Sequence, residues 1–130
     1  MAVSNIKAEL SAAVDDVWAV VTSFDGSWRS DLREIVKIDD THFTEIGKNG
    51  FETRFTITAS KPNSLYELEI ENNNMTGHWT GKFSVENNKT VIDFTEDILP
   101  KKAVMKPFAR IFLKNRQTAY LRDLRKVLGE

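Results

Sequence analysis

The chain contains no cysteine, which excludes disulfides, thiol catalysis and cysteine-ligated metals. It has only two histidines, His42 and His78, and no helical i, i+4 histidine pair, so it carries no zinc signature. His78 is out of phase with Trp79 and is expected to face solvent, while His42 falls at a turn. No GxSxG, Walker or GxGxxG pattern occurs, so nucleophilic hydrolysis and nucleotide binding lack support. Neither a metal nor a cofactor is expected. No stretch approaches the roughly 18 apolar residues of a membrane span. The opening MAVSNIKAEL lacks the apolar core of a signal peptide. A cytoplasmic protein is the expectation.

What is present suits a globular protein. The 130 residues are 41% hydrophobic and 28% charged, enough to bury a core as one domain spanning 1–130. The net charge of −1 hides an asymmetry. Residues 1–99 carry 9 Lys/Arg and 17 Asp/Glu, whereas residues 100–130 carry 9 and 2. A basic C-terminal segment on an acidic body invites an anionic partner, or simply attraction between the two parts.

Val3 to Leu10 reads as a strand, and Ser11 as the N-cap of a helix. Val14, Val17, Trp18 and Val21 fall at i, i+3, i+4, i+7, one helical face, which Phe24 continues. Asp25-Gly26 stops that helix, and a second short helix or turn carries Trp28 to Leu32. Strands then follow, separated by turn residues: Ile35 to Asp39, Phe43 to Ile46 and Phe51 to Ser60. Three more are expected around Tyr66 to Ile70, Gly77 to Val85 and Ile92 to Ile98. Their period-2 alternation predicts an antiparallel meander with one buried face. After Pro100 a short turn over Lys101 to Lys106 leads into a long helix with Pro107 in its first turn, running to Leu128. Val104, Phe108, Ile111, Phe112, Asn115 and Ala119 are expected to form its apolar face. Lys106, Arg110 and Lys114 lie nearly opposite. Tyr120, Leu124, Val127 and Leu128 fall on a rotated stripe further on, so that the helix is expected to meet different surroundings along its length.

A strand, two short helices, six strands and a long C-terminal helix form an unusual order. The features that carry a resemblance are VDDVWAVVTSFDGSWRSDL, the Gly-interrupted GHWTGKFSVENNKTVIDFTEDI and the helix ending YLRDLRKVLGE. Over nearly its whole length the chain resembles the START-like, or SRPBCC, helix-grip superfamily. That group includes lipid-transfer START domains, birch-pollen allergen relatives and bacterial polyketide cyclase/dehydrase-like proteins. The resemblance implies an α+β fold in which a curved antiparallel sheet of about seven strands grips the long helix around an apolar chamber. These are fold signals, because the superfamily has no universal catalytic motif. Some relatives act on chaperones or ribosomes, so the basic C-terminal helix leaves a protein partner open.

Within that frame, the expected chamber lining is Trp28, Phe55, Ile57, Tyr66, Leu68, Trp79, Phe83, Phe94, Glu96, Phe108, Ile111, Phe112 and Asn115. Trp18 is expected to be core, and Trp28 to lie nearer the rim. Glu96 is the anomaly: a carboxylate in phase with Ile92, Phe94 and Ile98 is costly to bury without a partner. It either meets a polar ligand group or acts as an acid/base, or else the strand frays near Pro100 and Glu96 pairs with Lys101. Tyr66 is the other weak catalytic candidate. Asn115 either orients a ligand or is an ordinary helix amide. Glu67, Glu69 and Glu71 form a row expected to be solvated. Gly77 and Gly81 suggest either space beside Trp79 or strand bending. The expected function is binding or transport of a small hydrophobic, lipid- or polyketide-like molecule. The alternatives are a cyclase/dehydrase-type enzyme and a protein-interaction module. An acidic sheet argues against nucleic acid.

Overall fold

The computed structural model describes residues 2–130. Strand β1 (Ala2–Leu10) is followed by helix α1 (Val14–Val21). Then come β2 (Leu32–Lys37), β3 (His42–Gly47), β4 (Glu52–Lys61), β5 (Leu65–Glu71), β6 (Met75–Glu86) and β7 (Lys89–Pro100). A 3-10 turn over Ala103–Phe108 leads into α2 (Ala109–Val127). All seven strands form one antiparallel sheet in the order β1-β7-β6-β5-β4-β3-β2. Six strands are therefore sequential neighbours joined by turns. The β6–β7 turn places Asn87 and Asn88 at φ of 53° and 64°, the left-handed pair that a two-residue hairpin needs. β1 instead closes the sheet by pairing with β7, from Ala2 opposite Ile98 to Leu10 opposite Thr90. A register shift between Ile57 and Ala59 interrupts β4, and such a bulge bends a strand.

The inner face follows the alternation of the sequence. Leu10, Phe55, Tyr66, Leu68, Ile70, Phe83, Ile92, Phe94 and Ile98 are buried, with Val17, Leu113 and Leu124 of the helices closing over them. α1 lies against β6 and β7, and α2 crosses β1 and β7.

Three expectations need correction. Only one short helix follows β1; Ser27 to Asp31 is irregular. Side chains there take the backbone groups a helix would use: Asp25 accepts the Ser27 N–H, and Asp123 accepts both the N–H and hydroxyl of Ser30. Ser11 does not cap α1. Ala13 holds that position, and the Ser11 and Ala12 amides donate to the Glu130 carboxylate at 2.9 and 3.2 Å. The third correction concerns the phase of α2. Its buried residues are Ala109, Leu113, Gln117, Asp123 and Leu124, whereas Val104, Phe108, Ile111, Phe112 and Asn115 are exposed. Gln117 is at home inside because it accepts from the Ser4 hydroxyl at 2.7 Å and donates to the Ser4 carbonyl at 2.9 Å. Pro107 lies in the 3-10 turn and precedes α2.

Candidate functional site

An apolar cleft of about 770 Å³ opens between one end of the sheet and the start of α2. Thr53, Met75, Ile98 and Pro100 form its floor, and Val104, Met105, Phe108 and Phe112 form the opposite wall. The wall exists because Pro100 ends β7 and the 3-10 turn swings the chain back over the sheet end. Glu45 and Arg116 border this cleft and also a small inner cavity of about 70 Å³. Trp28, Phe55, Tyr66, Leu68, Trp79, Glu96 and Tyr120 line the inner cavity. A third space of about 40 Å³ adjoins Phe94, Glu96, Arg116 and Gln117. Glu45 and Arg116 thus stand between the cleft and a mainly apolar inner cavity that holds a few polar groups.

That interior is organised around Arg29. Its guanidinium donates to both carboxylate oxygens of Asp31 at 3.0 Å and to Glu45 at 3.3 Å, and lies 4.7 Å from the Tyr120 ring centre. Burial works to neutralise Arg29, but Glu45, Tyr120 and Asp31 outweigh it and keep it charged. Burial likewise pushes Asp31 up, and the Arg29 bonds more than reverse that, holding it below the usual carboxylate range. Burial pushes Tyr66 up to about 12 and raises Tyr120 as well, so both phenols stay protonated.

Glu96 is only 7% exposed and has no hydrogen-bond partner among the described residues. Burial raises its pKa, with Arg116 acting in the opposite sense. Lys101, its suggested partner, reaches Glu71 at 3.5 Å instead. With Arg29 and Arg116 balancing Asp31 and Glu45, the interior is electrically neutral when Glu96 holds its proton. A neutral carboxyl donates one hydrogen bond and accepts others. The Trp28 indole N–H is also buried without a partner among the described residues. With Glu96 protonated, the inner end would offer two donors, the Glu96 carboxyl and the Trp28 indole N–H, to an uncharged acceptor group.

The other expected lining residues are distributed more widely. Phe83 is buried in the core, and Ile57 packs half-buried against it. Ile111 and Asn115 face outward and border neither the cleft nor the inner cavities, a correction that follows from the α2 phase. Trp18 packs edge-on against Tyr66 and Phe83 at 5.7 and 5.1 Å. Trp28 makes an edge contact with Tyr120 at 5.1 Å, inside the rim. Gly81 makes space that Trp79 itself fills, since a methyl group there would overlap the indole ring. On the outer face His78 binds Glu69 and Glu67 at 2.6 and 3.1 Å; burial lowers its pKa, but those carboxylates raise it overall. Glu71 pairs with Arg54 and Lys101. Among the described residues no group of three or more His, Asp or Glu is placed to hold a metal.

Sequence reasoning missed Arg29, Glu45, Arg116, Gln117 and Tyr120. Glu45 carried a signal, being in phase with buried Phe43. So did Leu113, Gln117, Tyr120 and Leu124, which share a helical face. Arg29 carried none.

The chain matches the model of the polyketide cyclase/dehydrase and lipid transport family over residues 1–129. No curated protein matches it in sequence. Among solved structures it is similar to a START superfamily protein from Mycobacterium smegmatis at 10% identity and a TM-score of 0.82, covering 97% of this chain and 96% of that one. It is also similar to a conserved protein from Geobacillus kaustophilus at 13% identity and a TM-score of 0.83, covering 98% and 95%. The protein XoxI from Bacillus cereus is similar at 14% identity and a TM-score of 0.81, covering 98% and 96%. These identities establish a shared fold only. Among the described residues no helix is long and apolar enough to cross a membrane. With its full-length match, the chain belongs to the polyketide cyclase/dehydrase and lipid transport family, and its helix-grip fold is like that of the START superfamily protein.

Proposed function

We propose that this protein binds and carries a small, mainly apolar molecule whose uncharged polar end reaches Glu96. The observation that carries this reading is an apolar cleft of about 770 Å³ that shares Glu45 and Arg116 with an inner cavity bordered by Glu96, a largely buried side chain without a hydrogen-bond partner among the described residues. Ligand sites commonly combine apolar walls with a few polar anchors. Family membership supports hydrophobic ligand binding in general. A cytoplasmic setting is part of the proposal, in keeping with a chain free of cysteine.

The test is mass spectrometry of molecules released by denaturing protein purified from its native host. Thr53→Trp, which fills the cleft floor, serves as the control. A recurring stoichiometric apolar molecule is expected with the wild type and not with the control. Equal recovery from both would remove the cleft as its site.

One observation favours a second, enzymatic reading. Glu96 and Tyr66 border the same inner cavity, and a carboxyl with a raised pKa can serve as a general acid or base. A cyclase- or dehydratase-type reaction on a carbonyl substrate would use them. Glu96→Gln abolishes turnover on this reading and only modestly changes affinity on the carrier reading.

A further inference from the structure

The stripe of α2 that sequence periodicity assigned to the core lies on the outside, and nothing among the described residues covers it. Val104, Phe108, Ile111 and Phe112 are 74%, 66%, 63% and 50% exposed. At about 100° per residue, Ile111 lies nearly opposite the buried Leu113. The start of α2 is therefore apolar on two sides, one packed on the protein and one presented outward.

The segment that carries this stripe has charge of a single sign. Residues 101–116 contain six Lys/Arg and no Asp/Glu. Lys101 pairs with Glu71, and Lys114 donates to the Asn5 carbonyl. Lys102, Lys106 and Arg110 are exposed and have no ion-pair partner among the described residues.

We infer that residues 101–116 form a docking surface for an anionic phospholipid bilayer. Val104, Phe108, Ile111 and Phe112 would enter the headgroup boundary while Lys102, Lys106 and Arg110 meet anionic headgroups. An exposed apolar stripe on one side of a helix, with cations on its polar side, is the pattern of a helix that lies in a membrane interface. A second copy of the chain fits this face poorly, because a two-fold contact brings the same segment, with no Asp/Glu, and leaves Lys102, Lys106 and Arg110 without anionic partners. Nucleic acid fits poorly as well, because phosphates gain nothing from the apolar centre. Position adds a further argument. Val104, Phe108 and Phe112 are at once the exposed stripe and the wall of the cleft. Docking there sets the mouth of the cleft against the bilayer, so an apolar molecule passes between them without crossing water. This last step rests on the carrier reading; the docking itself rests on the stripe and its charges.

The test is co-sedimentation of the full chain with phosphatidylcholine vesicles containing about one-third phosphatidylserine, at about 0.1 M salt, where exposed charges still act over roughly 10 Å. Binding is expected to be lost on pure phosphatidylcholine and in high salt. It should weaken about fivefold for each of Lys106→Gln and Arg110→Gln. Ile111→Asp should weaken it at least about tenfold. Ile111 borders no part of the cleft, so uptake of the neutral apolar dye Nile red in vesicle-free solution should be unchanged in that variant. Wild-type protein that ignores anionic vesicles overturns the proposal and returns the face to a protein partner, even if Nile red uptake keeps the carrier reading alive. Vesicle binding by Ile111→Asp equal to wild type overturns it too. A wild-type dimer that Ile111→Asp converts to monomer would assign the stripe to self-association and overturn it as well. Vesicle binding without dye uptake supports docking and removes the carrier reading.

Discussion

The two ends of the long C-terminal helix meet opposite surroundings. Toward its C-terminus, Leu124 is fully buried, and Asp123 anchors the Ser30 segment. Toward its N-terminus, Ala109 is buried, while Phe108, Ile111 and Phe112 stand in solvent beside an open cleft. Stability is concentrated at the closed end, and the surface available to other molecules at the open end. One helix can serve both purposes because the sheet covers only part of its length.

Four measurements test this division. The largest expected effect is at Arg29. Arg29→Ala leaves Glu45 buried without its cation and should cost about 3–5 kcal/mol in denaturant unfolding. The half-exposed Asp31 adds little to that. A cost below about 1 kcal/mol would mean that the interior ion pairs are not held as drawn. Leu124→Ala empties a fully buried position and should cost about 2–5 kcal/mol. A third comparison sets Glu96→Gln against wild type across pH. The native state raises the Glu96 pKa, so it keeps a proton that the unfolded chain gives up near 4.5. Wild-type stability from this group is therefore complete below about that value, and falls as pH rises through the raised native pKa. Glutamine does not titrate, so the variant should gain on wild type as pH rises above about 4.5. A flat difference would contradict a buried, protonated Glu96. The smallest stability effect belongs to Phe108→Ser at the open end, within about 0.5 kcal/mol. The same variant should still weaken uptake of an apolar ligand, since Phe108 forms part of the cleft wall. A large loss of stability there would erase the contrast between the ends.

Much of the fold was legible because a half-buried sheet writes its geometry into every second residue. Tyr66, Leu68 and Ile70 alternate with Glu67, Glu69 and Glu71, and the structure buries the first set. Glu96 was legible for the same reason. α2 was harder to read because periodicity shows which residues share a face, and not which face is covered. Val104, Phe108, Ile111 and Phe112 made the more apolar stripe. The covered face was disguised by Gln117 and Asp123, whose polar groups are satisfied by Ser4 and Ser30, far away in sequence. The Arg29 cluster had no local sign at all. Its partner Glu45 lies 16 residues on, and only the return of β3 brings the two together.

The pairing of β1 with β7 has a kinetic consequence. Strands β2 to β7 can form by successive short hairpins, each with a small loop-closure cost. β1 has no such neighbour, and must find a partner some ninety residues away, as with Asn5 opposite Thr95. Its docking should be a late event that slows folding, because non-local pairings are slow to form. Until it docks, the flank of β7 from Thr90 to Ile98 offers unpaired backbone groups to any passing strand. The chain is thus most prone to aggregate just before its first strand arrives.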